Sequence, residues 1–215
     1  MALRTLLVLG LLMTTTGCTR LYYASMQKIG KEKREILVQR IIDGKKDQEA
    51  AGKQIKTTME AFQELTGFSG GDLEKTYQKL AGELGHAEDR AGKLRGRIEG
   101  IEKVAGDLFR EWESEIGKMR DAGLKSKSRA ILRDTARRFQ VLDKKLRATE
   151  KRMEPVLQAF RDQVVFLKHN LNAKAITSLK TTSVEIDADV SELVKEIDGS
   201  IREADAFIGA MEKAD

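Results

Sequence analysis

The sequence predicts an all-α protein, an elongated antiparallel bundle of three to four long, coiled-coil-like helices in one domain. Three observations lead there. Charged residues make up 34% of the 215 positions, aromatics 5%, and Pro155 is the single proline. A chain rich in Ala, Glu, Lys, Leu and Arg favours long helices, whereas sheets need more branched, aromatic and turn residues. Apolar residues recur three and four apart along most of the chain, which is the spacing of one helical face. Breaks in that spacing are few, so each helix between them is long.

The first residues stand apart from this pattern. Met1-Ala2-Leu3-Arg4 carries one positive charge, Leu6 to Met13 is an apolar run of eight, and small residues from Thr14 to Gly17 lead to Cys18, the only cysteine. That order is the anatomy of a secretory signal. The run is far shorter than the roughly 20 apolar residues that a spanning helix needs. A cysteine at the cut site resembles a bacterial lipoprotein signal. Gly17 supplies the small residue before the cut, while Thr15 departs from the leucine usual three residues before the cysteine. The expectation is a signal peptide over residues 1–17, a mature helical-bundle domain over 18–215, and lipidation of Cys18 as the link to the membrane. A buried thiol and an ordinary secretory signal are the alternatives. By the same resemblance, Thr19 points to the outer membrane, facing the periplasm. Tyr22 and Tyr23 suit either the lipid headgroup level or a packed core.

The first helix is expected from about Arg20 to Leu65. Its seam reads Met26, Ile29, Ile36, Gln48, Ala51, Ile55, Met59 and Phe62. It weakens at Gly44, where glycine costs about 1 kcal/mol relative to alanine. Gly67-Phe68-Ser69-Gly70-Gly71 is the clearest turn, and Asp72 can cap the helix that follows. That second helix carries Leu73, Tyr77, Leu80, Leu84, Ala87, Ala91, Leu94, Ile98, Ile101, Ala105, Leu108 and Trp112 without a skip, the pattern of coiled-coil packing. Its stop is expected near Ala122-Gly123, glycine being the usual C-terminal residue.

The third helix is expected to start between Lys125 and Ser128. It carries Ile131, Thr135, Phe139, Leu142, Leu146, Thr149, Met153, Val156, Phe160, Val164, Leu167 and Leu171. Pro155 predicts a kink, because proline lacks a backbone donor and clashes with the preceding turn. One helix from Lys125 to the end would measure about 135 Å against about 70 Å for its neighbours, so a further turn is needed. His169-Asn170-Leu171-Asn172 offers asparagine caps. Thr181-Thr182-Ser183 offers a capping box between Thr182 and Glu185. The last helix carries Ile186, Val190, Leu193, Ile197, Ile201, Ala204, Ile208 and Met211.

Catalytic patterns are absent from the sequence. His86 and His169 are the two histidines, and neither has a second histidine or a cysteine at ligand spacing, so no metal or cofactor is expected. No glycine-rich loop leads into Lys and Ser/Thr at phosphate-binding spacing. Charge is more informative. Lys118 to Arg152 holds thirteen basic and four acidic residues, and Ser183 to Asp215 holds three basic and ten acidic. A basic helix suits nucleic acid, but the secretory signal and the acidic stretch oppose that reading. No nucleic-acid partner is expected, and the third and fourth helices are expected to attract one another.

Several stretches resemble a known family. They are Tyr22-Tyr23-Ala24-Ser25-Met26, Lys33-Arg34-Glu35-Ile36-Leu37-Val38, Gly70-Gly71-Asp72-Leu73-Glu74, Glu111-Trp112-Glu113, Met153-Glu154-Pro155-Val156-Leu157 and Phe166-Leu167-Lys168-His169-Asn170-Leu171-Asn172-Ala173. Together they resemble an uncharacterised family of bacterial α-helical lipoproteins described only as a domain of unknown function. The resemblance spans nearly all of the mature chain. It implies a helical fold and an envelope location, and no activity.

The functional expectation is a non-enzymatic, lipid-anchored scaffold whose partner is an envelope protein or a second copy. The alternative is a binding module using its far tip or a groove between helices. Phe68, His169, Asn170 and Asn172 are the candidate contact residues at the far tip, though Phe68 also suits a plug for the bundle end. Lys118, Arg120, Lys125, Lys127 and Arg129 are expected beside the membrane, where each basic residue contributes about 1 kcal/mol.

Overall fold

The structure, a computed structural model, describes residues 33–212. The expectations for the signal peptide, Cys18, Tyr22, Tyr23, Met26 and Ile29 lie outside the described residues. Four α-helices follow in order: α1 (Lys33–Thr66), α2 (Leu73–Lys118), α3 (Ala122–His169) and α4 (Ala173–Glu212). α1 packs on α2 and α4, and α3 packs on the same two helices. This is the ring of an up-down-up-down four-helix bundle. The 46 residues of α2 make a shaft of about 70 Å.

The apolar seams fill the interior. Ile36, Ala51, Ile55, Met59 and Phe62 of α1 are buried, as is every expected position of α2 from Tyr77 to Ala105. Phe62 meets Phe160 edge-on across the bundle, with centroids 6.0 Å apart. Nearer the other end, Phe139 meets both Phe109 and Phe207 at 5.8 Å. Edge-to-face pairs add about 0.5–1.5 kcal/mol each beyond the area they bury.

Gly44 differs from expectation. The seam does not weaken there, because Gly44 is buried. A Cβ on it would lie 2.9 Å from Ile101 Cδ1, and one on Gly52 would lie 3.2 Å from Ile197 Cδ1. The missing side chains let α1 approach α2 and α4 closely. Gln48, at 0% exposure, is another unusual core member. Both of its amide atoms, the Thr149 hydroxyl and the Ser200 hydroxyl have no hydrogen-bond partner among the described residues.

The turns follow the capping chemistry. Gly71 adopts φ +112, a region glycine enters without strain, and Asp72 then accepts from the Lys75 N–H at 3.0 Å. α2 stops at Lys118, before the expected Ala122-Gly123. The cause is Asp121, whose carboxylate accepts from the Leu124 N–H at 2.7 Å and starts α3 at Ala122. Gly123 therefore lies in the first turn of α3 instead of ending α2. The last turn falls at Asn170 to Asn172, while Thr181, Thr182 and Ser183 lie inside α4. α3 is continuous through Pro155, with Met153, Val156 and Leu157 buried on either side.

Candidate functional site

The bundle has two chemically different ends. At the turn end, the expected contact residues are largely engaged by the fold itself. Phe68 is half-buried and packs against the core. Asn172 Oδ1 accepts from the N–H groups of Lys174 and Ala175, each at 3.1 Å, and so caps α4. Asn170 Nδ2 donates to the Phe166 carbonyl at 3.0 Å. His169 is exposed as the last residue of α3. The fold brings the segments of Phe68 and of His169, Asn170 and Asn172 to the same end, as expected.

The opposite end is where α1 begins. Lys33 pairs with Glu111 at 2.5 Å, and the Arg34 guanidinium donates to the Met211 carbonyl. Beyond Glu111 the hairpin of α2 and α3 runs on for about two more turns, roughly 10 Å. Trp112 Nε1 donates to Ser128 Oγ at 3.1 Å, and Arg129 pairs with Glu113 at 3.4 Å. Lys125 Nζ donates to the Gly117 carbonyl at 3.2 Å, closing the end of α2. Those contacts engage two of the five expected basic residues. Lys118, Arg120 and Lys127 are exposed, and no ion pair holds them among the described residues.

Sequence reading missed two residues on this tip. Leu124 is 63% exposed and Met119 38% exposed. Their signal was visible, since both are apolar residues outside every seam within a basic stretch. Two turns further along α3, Ile131 is 40% exposed although it belongs to the expected seam. It borders a cleft of about 840 Å³ between α3 and α4, lined on α4 by Ala206, Phe207, Gly209, Ala210 and Met211. Small residues on α4 leave that space unfilled.

Ion pairs join neighbouring helices along the shaft. Arg95 reaches Glu150 at 3.0 Å, Arg161 reaches Glu88 at 2.7 Å, and Arg147 reaches Glu102, all between α2 and α3. Between α3 and α4, Arg152 meets Glu192 and Glu196. The expected attraction of the basic third helix for the acidic fourth thus rests on Arg152, and more arginine pairs join α3 to α2. Partly exposed pairs of this kind contribute about 0–1 kcal/mol each. Asp143 lies beside Glu102 and Arg147. Burial first, then the neighbouring Glu102 carboxylate, pushes its carboxyl up to about 6, while Arg147 opposes the shift.

Among the described residues, no group of three or more His, Cys, Asp or Glu side chains could hold a metal ion. No described helix is long and apolar enough to cross a membrane. No curated protein matches the chain, and no solved structure matches it. The family described as "Protein of unknown function (DUF2959)" matches residues 22–211. That span takes in all four helices except the last residue of α4, and the chain belongs to the DUF2959 family.

Proposed function

We propose that this protein is a non-enzymatic scaffold of the bacterial cell envelope, anchored through lipid on Cys18 and facing the periplasm from the outer membrane. The observation that carries the reading is the polarity of the shaft. The first described helix begins at Lys33, at the end that also presents the basic tip residues. The turn end, with its fold-engaged caps, lies about 70 Å away. A tether at Cys18 and a rigid shaft of that length suit a spacer or docking post between the membrane and an envelope partner. The signal-like order of residues 1–18 supports the anchor.

A second reading is a binding module that holds a protein, lipid or glycan. The cleft between α3 and α4 favours it, because Ile131 and small residues of α4 border open space there. Envelope crosslinking followed by mass spectrometry separates the two. Self-crosslinks or one abundant structural partner support the scaffold, and a ligand or partner crosslinked at the Ile131 cleft supports the binding module. The anchor is tested by Cys18→Ala. Membrane association that withstands high salt is expected to be lost, and a variant still held by outer membrane under that condition would refute lipid anchoring.

A further inference from the structure

The tether leaves one question open: what fixes the angle of the shaft to the membrane. A lipid on Cys18 is a single point of attachment and does not by itself set that angle. The hairpin tip offers a second point of contact. It extends past Lys33 and Met211, and it combines exposed Leu124 and Met119 with Lys118, Arg120 and Lys127. A surface with protruding apolar side chains among cations matches the boundary of an anionic bilayer, where acyl chains take the apolar groups and headgroup phosphates take the charges. A soluble polyanion would use the cations but give Leu124 and Met119 nothing to bury against.

We infer that the tip from Lys118 to Arg129 is a second membrane contact, in which Leu124 and Met119 enter an anionic bilayer and Lys118, Arg120 and Lys127 meet its phosphates. This rests on the envelope reading above and adds orientation to it. Because the tip ends the hairpin, its contact holds the shaft end-on and presents the opposite turns away from the surface.

The test uses the full chain with a photoreactive residue at Leu124 or, as a control, at Ser69, mixed with vesicles rich in phosphatidylglycerol or made of phosphatidylcholine alone. Lipid adducts are expected at position 124 in the anionic vesicles, and few at position 69. Each basic residue counts for about fivefold in affinity near such a surface. Changing Lys118, Arg120 and Lys127 together to Gln is therefore expected to reduce the adducts at 124 by about two orders of magnitude. Equal adducts at both positions would overturn the proposal. So would adducts at 124 that are indifferent to lipid charge, or tight binding of inorganic polyphosphate that displaces the tip from vesicles without loss in the Leu124→Ser variant. The mass of the N-terminal peptide keeps the two readings apart. An acylated protein that sediments with vesicles without crosslinking at 124 refutes the tip contact alone, and an unacylated one that crosslinks there refutes the anchor alone.

Discussion

The two ends of this bundle differ in how far the fold itself uses the residues that stand out in the sequence. At the turn end, asparagines and an aromatic residue look from sequence like a contact patch. In the fold, Asn172 caps α4, Asn170 closes the end of α3, and Phe68 rests on the core. At the tip, Asp121 caps α3 in the same manner, yet Leu124, Met119 and three cations are left over after the local contacts are made. Side chains consumed by capping say little about partners. The residues that remain after capping and packing are the informative ones.

The sharpest way to break this comparison is to truncate one apolar residue in each region. Phe160→Ala removes a ring that packs on Phe62 and is expected to cost about 3–5 kcal/mol. Leu124→Ser is expected to change stability by less than about 0.5 kcal/mol, as a surface change away from structural features. Urea unfolding followed by circular dichroism measures both. A large cost at Leu124 would mean that it serves the fold instead of an outside surface.

The shaft between the ends carries its own exception. Gln48 buries an amide with no partner among the described residues, so Gln48→Met is expected to stabilise the bundle by about 1–2 kcal/mol. A loss of stability in the same assay would indicate that the amide is satisfied. The caps come next in size. Asn172→Ala and Asp121→Ala are each expected to cost about 1 kcal/mol, which would place the two ends on an equal footing as helix starts. If Asn172→Ala were neutral, Asn172 would be free for a partner after all.

A smaller effect is the pH dependence of the α2–α3 contact. Asp143 has a folded-state pKa raised from 3.8 to about 6. The folded protein therefore binds more protons than the unfolded chain between those values, and stability falls as pH rises through that window. The penalty is fully present above the folded-state pKa and absent below 3.8. Asp143→Asn is expected to flatten this part of the stability–pH curve. An unchanged curve would assign the dependence to another group.

Much of the fold was legible because seam positions are decided by local spacing. Tyr77 to Ala105 alternates four and three, and those residues are all buried. The choice between two last turns was not legible from spacing, since the seam runs in phase through both. Asn172 settles it by accepting two backbone N–H groups at once. Gly123 misled for a related reason. Glycine after an apolar stretch signals a stop, but Asp121 two residues earlier satisfies the N–H of Leu124 and turns the same segment into a start. Gly44 misled because propensity is a local cost, whereas its close approach to Ile101 is set by a helix far away in sequence. At the candidate site, the basic residues were visible as a charge run. Which of them stay unpaired depended on Glu113 and the Gly117 carbonyl facing Arg129 and Lys125, which no periodicity reveals.

The orientation of the shaft is tested most directly by energy transfer from a fluorophore on the full chain to acceptor dye in an anionic bilayer. One label is placed at Lys127 and another at Ser69. The account predicts strong transfer from Lys127 and little from Ser69, the two lying about 70 Å apart along the bundle. Equal transfer from both positions, or stronger transfer from Ser69, would contradict it.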